Sequence, residues 1–430
     1  MKWFDLIWNL LVSAPVLVLA FALAARWLKA SGAPLRRIGQ SDPPLRQAGA
    51  EAGRGETAAV FGGALLFRLL VFLAVCAVAL VALKNVDGGG LLSLWEKWDG
   101  FHYVRLVEQG YGGYAEDGQH YFLVFYPLYV WLVRLVRLAV GNTILSGLLV
   151  SFFCYAGGCA YFYRLAFREY GRAVAWRTVV FLSVFPFSFF FGAMMTESLF
   201  LLTTAAGLYH IRRHHWLRAG VWGVLAAMTR MHGLLLVGAA LAELVQSRRL
   251  FALRGAELKR NLRAVLCRLP LIFLPLLGTA VYLGLNYVVD GNPFAFTAHQ
   301  QARWSQGFMW ISQVLQYLLV NTFTYGNLAV QLELWLPEAL LFLLFFALLW
   351  HERGRHRSMF TLYAFACLIL NYCLSWLLSA GRYLTCAIPF FMFAACLTER
   401  RPKLTAALTA GMSALFILAQ AIYIVGGQIM

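Results

Sequence analysis

An aspartate close to a histidine is the first candidate for chemistry in this sequence of 430 residues. Residues 94–106 read LWEKWDGFHYVRL, and within them Asp99, His102 and Tyr103 are spaced i, i+3 and i+4. On a helix that spacing puts the three side chains on one face. A carboxylate beside an imidazole suits general acid–base catalysis, so Asp99 is the candidate catalytic residue. The structural alternative is that Asp99 only caps this helix or faces solvent.

Three arginines next to apolar segments form a second candidate group. Arg230 stands in MTRMHG, Arg303 in AHQQARW and Arg382 in SAGRYL. An arginine near lipid is costly unless it faces a cavity or a partner, and its planar guanidinium suits a phosphate. We expect the three to converge on one lipid phosphate, although each could instead extend to the membrane interface. His102, His232 and Tyr383 lie close to these candidates in the sequence and are expected to line the same cavity.

Four more residues are candidates for orienting a substrate. Glu197 lies in AMMTESLF at a turn, where it either caps the following helix or contacts the substrate. The other three are Tyr103, Gln300 and Trp304. The eight cysteines lie mostly in apolar stretches and form no C-x-x-C pair, so we interpret them as small hydrophobic residues. No cofactor and no metal site is predicted, and a role for a divalent metal stays open.

The composition places the chain in a membrane. Hydrophobic residues make up 61% of it, charged residues 13%, and the mean hydropathy is +0.69. A soluble domain carries about 25% charged residues. We predict an all-α polytopic membrane protein with about 12 transmembrane helices, since each span needs about 20 apolar residues. The candidate spans are 6–25, 58–83, 143–166, 176–194, 197–212, 217–230, 232–246, 268–289, 334–350, 359–378, 383–398 and 404–425.

The net charge of +17 does not indicate nucleic-acid binding, because the basic residues cluster between apolar segments. Alternating the loops puts 26 of the 36 Lys and Arg residues on one side and nine on the other. The first side is predicted to be cytoplasmic, with both termini outside. Residues 1–430 then form one domain with a basic cytoplasmic linker (26–57) and two long external segments (84–142 and 290–333). Interfacial helices are expected at 94–106 and 122–138.

A sequence resemblance sharpens these expectations. The segment WDGFHYVRLVEQGY, followed by FYPLY, resembles GPI mannosyltransferase II and its bacterial relatives. Matching motifs follow in order at 185–200, 228–233, 291–304 and 379–384. The resemblance implies a fold of the GT-C class, a polyprenyl-phosphate-linked sugar as donor and Asp99 as the catalytic acid. The span and basic loop that precede the motif depart from that family.

Together the residues and the resemblance predict an inverting glycosyltransferase, with mannose as the sugar that the resemblance implies. Asp99 is the expected general base, and the arginines stabilise the leaving phosphate. His102, His232 and Tyr383 are the further candidates for binding the donor phosphate or sugar. The expected partners are the lipid-linked donor, a lipid or glycan acceptor and membrane lipids, without nucleic acid. The expected location is the bacterial inner membrane, with the site on its periplasmic or extracellular face. The alternatives are a transporter or flippase of lipid-linked glycans and an inactive scaffold that binds such lipids.

Overall fold

The computed structural model of the chain describes residues 2–34, 49–82 and 90–429. Within these ranges there is no β-strand, and the only bridges are isolated ones between Glu116 and Gln119 and between Phe308 and Leu374. The predicted all-α fold is therefore confirmed. Residues 35–48 of the basic linker and 83–89, which include Lys84 of the first external segment, lie outside the described residues.

Twenty α-helices, joined by short 3₁₀ and π turns, make up the described fold. The first six are α1 (Lys2–Ala30), α2 (Arg54–Ala82), α3 (Asp99–Gln109), α4 (Pro127–Val140), α5 (Thr143–Tyr170) and α6 (Arg172–Val184). The next six are α7 (Glu197–Arg212), α8 (Trp216–Ala227), α9 (Leu235–Arg248), α10 (Gly255–Leu266), α11 (Leu269–Ile272) and α12 (Pro275–Asp290). The last eight are α13 (Ala295–Trp304), α14 (Ile311–Thr324), α15 (Leu328–Val330), α16 (Leu336–Glu352), α17 (Ser358–Asn371), α18 (Ala380–Leu384), α19 (Pro389–Leu397) and α20 (Pro402–Val425). The 3₁₀ turns are Leu91–Trp95, Tyr121–Val124, Pro186–Gly192, Met231–Leu234 and Leu250–Ala252, and Gln331–Trp335 is π-helical.

Five of the described helical segments are long and apolar enough to cross a bilayer. They are Trp3–Ala30, Arg54–Val81, Thr143–Tyr170, Leu328–Glu352 and Pro402–Val425. A sixth is present if α6 and the turn Pro186–Gly192, bent by 82°, count as one span. The chain is thus an integral membrane protein. The count of twelve stays a prediction, because the other predicted spans form helices shorter than the roughly 20 residues of a full crossing.

Close packing between α5 and α7 lies at the centre of the fold and depends on glycine. A Cβ added to Gly158 would lie 2.7 Å from Leu201 Cγ, and one added to Gly147 would lie 2.6 Å from Met194 Cγ. Small residues at such positions let membrane helices approach closely without a side chain between them. The turn before α7 is consequently pressed against α5, and this contact fixes where α7 begins at Glu197.

Ion pairs and a backbone hydrogen bond connect the basic loops at one end of the helix bundle. Arg168 pairs with Glu51, and Arg212 pairs with Glu169 with its Nε 2.6 Å from Oε1. The backbone N–H of Phe251 donates to the carbonyl of Ser31 over 3.0 Å. The basic clusters that sequence alternation assigns to one side thus meet at one end, here called the basic end. That this end faces the cytoplasm stays a prediction.

The two long segments at the opposite end contain more structure than predicted. The helix expected at 94–106 is split, because Trp98 adopts a left-handed φ of 54° and α3 begins only at Asp99. The second interfacial helix starts at Pro127, which suits a first helical position, rather than at residue 122. The segment 290–333, predicted as an external loop, contains α13, α14 and the short α15.

Candidate functional site

A cavity of about 760 Å³ lies at the end of the bundle opposite the basic end. Its wall comes from α3, the turn between α8 and α9, α13, α18 and the loops around them. Nine of the predicted site residues line it: Asp99, Tyr103, Arg230, His232, Gln300, Arg303, Trp304, Arg382 and Tyr383. Two predicted residues, His102 and Glu197, lie outside the lining. Most of the candidates, distant in sequence, therefore meet around one cavity.

Asp99 faces this cavity in contact with an arginine. Its Oδ2 accepts a hydrogen bond of 2.5 Å from Arg382 Nη1, and its side chain keeps 28% of its exposure. The residue at the N-cap of α3 is Trp98, without a side-chain capping bond, so Asp99 does not act as the cap. A carboxylate in a first helical turn also interacts favourably with the helix dipole. The carboxylate is thus held at the cavity wall and stays reachable from it.

Glu197 lies behind the arginines. Its fully buried carboxylate accepts hydrogen bonds from both Arg230 Nη2 and Arg382 Nε. Arg230 Nε also donates to Thr196 Oγ1 over 2.8 Å. A buried charge requires partners, and Glu197 provides a shared one for two guanidinium groups. Its position is that of an anchor for the arginines rather than a residue facing the cavity.

Two acids and two arginines therefore form a charge-balanced quartet: Asp99, Glu197, Arg230 and Arg382. The Glu197 contacts are buried, whereas the Asp99–Arg382 contact lies at the cavity surface. Of the two carboxylates on Arg382, Asp99 is therefore the one that is exposed to the cavity.

The backbone around Arg382 is fixed from two sides. The buried Glu338 carboxylate accepts hydrogen bonds from the N–H groups of Ala380, at 2.8 Å, and Gly381, at 3.4 Å. On the other side a Cβ on Gly381 would lie 2.5 Å from the Phe187 ring, so only glycine fits. The five-residue helix α18 consequently presents Arg382 from a rigid base. Sequence reasoning missed Glu338, although an acid within an apolar span is itself a signal.

His102 packs among aromatic rings instead of contacting Asp99. Its Nδ1 is hydrogen-bonded to the Tyr114 hydroxyl at 2.9 Å, and its ring stacks on Phe122 with centroids 4.4 Å apart. Burial lowers the pKa of His102, and the nearby Asp99 charge opposes that shift. The spacing suggested that Asp99 and His102 act as a pair, but the hydrogen bond described for His102 goes to Tyr114 and not to Asp99.

Arg303 is the predicted arginine that does not join the quartet. Its Nη2 lies 3.0 Å from Glu116 Oε2, and both side chains are partly exposed at the cavity mouth. Two of the three predicted arginines thus converge, and the third is paired elsewhere. The difference follows from the fold, since Arg303 lies in the last turn of α13, within a segment predicted as an external loop.

The remaining predicted residues complete the wall in several ways. Tyr383 lies under the Arg230 guanidinium, 5.6 Å from it, and His232 has an Nε2 without a hydrogen-bond partner in the described structure. Tyr103 packs edge-on against Phe125 and Tyr129. Gln300 donates from Nε2 to Gln306 Oε1, and Trp304 packs edge-on against Phe122. These contacts hold the side chains in place beside the quartet.

A rim that the sequence did not predict borders the cavity. Residues 305–309 pair with residues 373–376: Met309 N donates to Cys373 O at 3.0 Å and Ser375 N to Gly307 O at 2.9 Å. Trp376, which lines the cavity, adopts a left-handed φ of 51°. Loop pairing between such distant segments leaves no periodic pattern in a sequence. Among the described residues, no group of three or more His, Cys, Asp or Glu side chains could hold a metal ion.

Comparisons with known proteins indicate the fold of this chain. A family model described as dolichyl-phosphate-mannose-protein mannosyltransferase matches residues 126–273. The crystal structure of ArnT from Cupriavidus metallidurans bound to undecaprenyl phosphate is 17% identical with a TM-score of 0.50, over 80% of this chain and 62% of ArnT. Archaeal AglB from Archaeoglobus fulgidus, in complex with an inhibitory peptide and a dolichol-phosphate, is 13% identical with a TM-score of 0.44, over 86% and 56%. No curated protein sequence matches.

The ArnT likeness defines the class: the chain is an all-α membrane protein with a fold of the GT-C type. The chain spans less than two thirds of the length of ArnT. The matching family model is not that of GPI mannosyltransferase II, and it covers about a third of this chain, residues 126–273. The specific resemblance inferred from WDGFHY and its companion motifs therefore stays a prediction.

Proposed function

We propose that this protein is a glycosyltransferase that moves a sugar from a polyprenyl-phosphate donor to an acceptor hydroxyl. The observation that carries the proposal is Asp99, reachable from a large cavity and held against an arginine that is itself anchored by a buried acid. The GT-C-type fold shared with ArnT, a protein bound to undecaprenyl phosphate in its crystal structure, supports a lipid-phosphate ligand. Mannose is the proposed sugar, following the motif resemblance and the matching family model.

The proposed reaction is a direct displacement with inversion at the anomeric carbon. The donor phosphate binds at Arg382 and Arg230 and takes the place of Asp99 on Arg382 Nη1. The freed Asp99 carboxylate accepts the proton of the acceptor hydroxyl as its oxygen attacks the anomeric carbon. The bond to the phosphate oxygen breaks, and the polyprenyl phosphate leaves with its negative charge stabilised by fixed guanidinium groups. Donor binding thereby activates the base.

The closed basic end favours an enzyme over a transporter. Glu243 is fully buried there and accepts hydrogen bonds from Arg357 Nε at 3.0 Å and Nη2 at 2.9 Å. The described lining of the cavity includes no residue of this network. A transporter must open a path alternately to both faces of the membrane. A cavity whose described lining lies at one end of the bundle suits a site where both substrates enter from one face.

The test compares two aspartates in the protein reconstituted in lipid nanodiscs. Polyprenyl-phosphate mannose is the donor, a membrane lipid extract supplies the acceptor, and mass spectrometry measures the polyprenyl phosphate released. Asp99→Asn should lower turnover by about 10²–10⁴, the usual contribution of a general base. Asp117→Asn, in an exposed loop of the same segment, is the matched control and should keep wild-type turnover. Near-normal turnover by Asp99→Asn would falsify the assignment.

A further inference from the structure

The helix α10 at the basic end exposes both apolar and basic side chains. Val265 is buried against the bundle, while Leu262 and Leu266 keep 47% and 55% of their exposure. These two leucines are one turn apart and so lie on the same face. Immediately beside them on the helix surface are the exposed Lys259 and Arg263. An exposed apolar strip bordered by basic residues is the pattern of a helix lying in a membrane interface.

The exposed basic residues of α10 lie apart from the ion pairs of the described structure. Lys259, Arg260 and Arg263 are exposed, and no ion pair of the described residues involves any of them. The paired residue next to them is Arg248, whose Nη1 donates to Asn261 Oδ1 over 2.8 Å and ties α10 to the end of α9. Residues 248–268 contain seven Lys and Arg but a single acid, Glu257. This surface therefore carries an excess of positive charge.

The position of α10 along the bundle matches the surface of the bilayer. α9 precedes α10, and α12 follows it after the short α11; the far ends of α9 and α12 both lie near the cavity. Their 14 and 16 residues rise about 21 and 24 Å at about 1.5 Å per residue. α10 is thus separated from the site by somewhat less than the roughly 30 Å of a hydrocarbon core. That separation puts α10 at the opposite interface, where lipid headgroups lie.

We propose that α10 is a binding surface for anionic lipid headgroups of the membrane that holds the protein. Leu262 and Leu266 insert among the acyl chains, and Lys259, Arg260 and Arg263 contact the phosphates. The charge complementarity favours lipid over a protein partner, because an in-plane helix of this kind gains from both apolar insertion and anionic headgroups. The inference concerns the opposite end from the cavity, so it does not depend on the proposed reaction.

A cysteine at the end of α10 supplies the label for the test. Cys267 is the exposed one of the eight cysteines. The experiment attaches an environment-sensitive fluorophore to Cys267, and the full-length protein is reconstituted in nanodiscs of phosphatidylcholine with increasing phosphatidylglycerol. The emission should shift to the blue as phosphatidylglycerol rises. A Cys267→Ser sample reports any label attached elsewhere.

Two charge variants and one apolar variant test whether α10 binds anionic lipid headgroups. Lys259→Gln/Arg260→Gln/Arg263→Gln should weaken the apparent affinity for phosphatidylglycerol by roughly fivefold for each charge removed. Arg400→Gln/Arg401→Gln/Lys403→Gln removes the same charge from another exposed basic loop and should leave the titration unchanged. Leu262→Gln/Leu266→Gln should shift the emission to the red in both lipids, because the apolar strip no longer inserts.

The proposal is overturned by any of three results. One is an emission that does not depend on phosphatidylglycerol in the wild-type protein. Another is a lipid dependence that survives in the α10 charge variant. The third is an equal loss in the control loop, which would assign the effect to net charge instead of α10. Because all six charged positions are exposed, their substitution leaves the buried packing intact, and thermal unfolding in phosphatidylcholine nanodiscs checks this.

Discussion

The two ends of the bundle each contain a buried network of acids and arginines, and the network at the cavity end borders the cavity of about 760 Å³. At the cavity end Glu197 holds Arg230 and Arg382, and Asp99 completes the group at the surface. At the basic end Glu243 holds Arg357 within packed helices. A pocket near α8 and α9 has a volume of only about 10 Å³. The two networks thus contain similar residues, but the cavity reaches only the network of Glu197 among the two.

This comparison teaches that pairing alone does not mark a site. A buried ion pair satisfies charges that would otherwise be costly, and both networks do that. What distinguishes the cavity end is an outer member, Asp99, that an entering anion can displace. We therefore expect substitutions at the cavity end to reduce turnover more than stability, and substitutions at the basic end to do the reverse.

Arg382→Gln should produce the largest effect among the tests of this comparison. The variant loses the cation shared by Asp99 and Glu197, and with it the proposed stabilisation of the leaving phosphate. Removing one such electrostatic contact typically costs about 10²–10³ in kcat. Turnover of polyprenyl-phosphate mannose in nanodiscs measures the loss.

Arg382→Lys is the matched control, since it keeps the charge without the planar fork. It should recover part of the turnover, because an ammonium can reach a phosphate but cannot hold two partners in the same geometry. If Arg382→Gln turned over donor as fast as the wild type, the quartet would have only a structural role, like the Glu243 network at the basic end. The proposed difference between the two ends would then be wrong.

Arg357→Met tests the basic end and should affect stability instead. The variant leaves the buried Glu243 with the more distant Arg212 and the half-exposed His214 as its remaining partners. Breaking a buried pair in this way costs about 3–5 kcal/mol, and we expect the lower part of that range because Glu243 keeps the Arg212 cation and a hydrogen bond to His214. Thermal unfolding in nanodiscs measures the change, and turnover per folded molecule should stay close to the wild-type value.

Arg355→Met provides the control at the same end. Arg355 pairs with Glu352, but half of its side chain is exposed, so its loss should cost less than about 1 kcal/mol. A variant Arg357→Met that was fully stable but inactive would contradict the distinction between the two ends.

The sequence could predict those site residues whose type is unusual for their surroundings. Asp99, Arg230 and Arg382 stand out as charges beside apolar segments, and the structure brings them together. α14 escaped prediction because its sequence, ISQVLQYLLVNTFT, mixes apolar and polar residues. The structure shows the reason: its polar side chains bond to α1, with Ser312 Oγ donating to Asn9 Oδ1 and Gln316 Nε2 to Asp5 Oδ1. Such pairing between distant helices has no local pattern.

Glu338 is a subtler test, because it acts on the site only through α18. Glu338→Leu removes both acceptors of the Ala380 and Gly381 N–H groups, each of which costs about 1–3 kcal/mol when left unsatisfied. We expect a loss of stability together with a fall in kcat of about tenfold, since a small misplacement of Arg382 weakens its contacts. Steady-state kinetics at saturating donor measure the fall in kcat.

Glu338→Gln separates positioning from charge. Its side-chain oxygen can still accept a backbone N–H, so it should recover most of kcat if Glu338 only holds α18. Equal loss in Leu and Gln variants would show instead that the carboxylate charge itself serves the reaction. A Leu variant with unchanged kcat would remove Glu338 from any part in the site.

Arg303→Gln should have the smallest effect, because its partner Glu116 lies at the exposed mouth of the cavity. An exposed ion pair contributes about 0–1 kcal/mol, so thermal stability should hardly change. We expect an increase of about two- to threefold in KM for the donor at low salt and none at high salt, because salt screens exposed charges. Glu116→Gln should shift KM in the opposite direction. A loss of kcat as large as that of Arg382→Gln would instead show that Arg303 takes part in the reaction together with the quartet. The assignment of Arg303 to the mouth of the cavity would then be wrong.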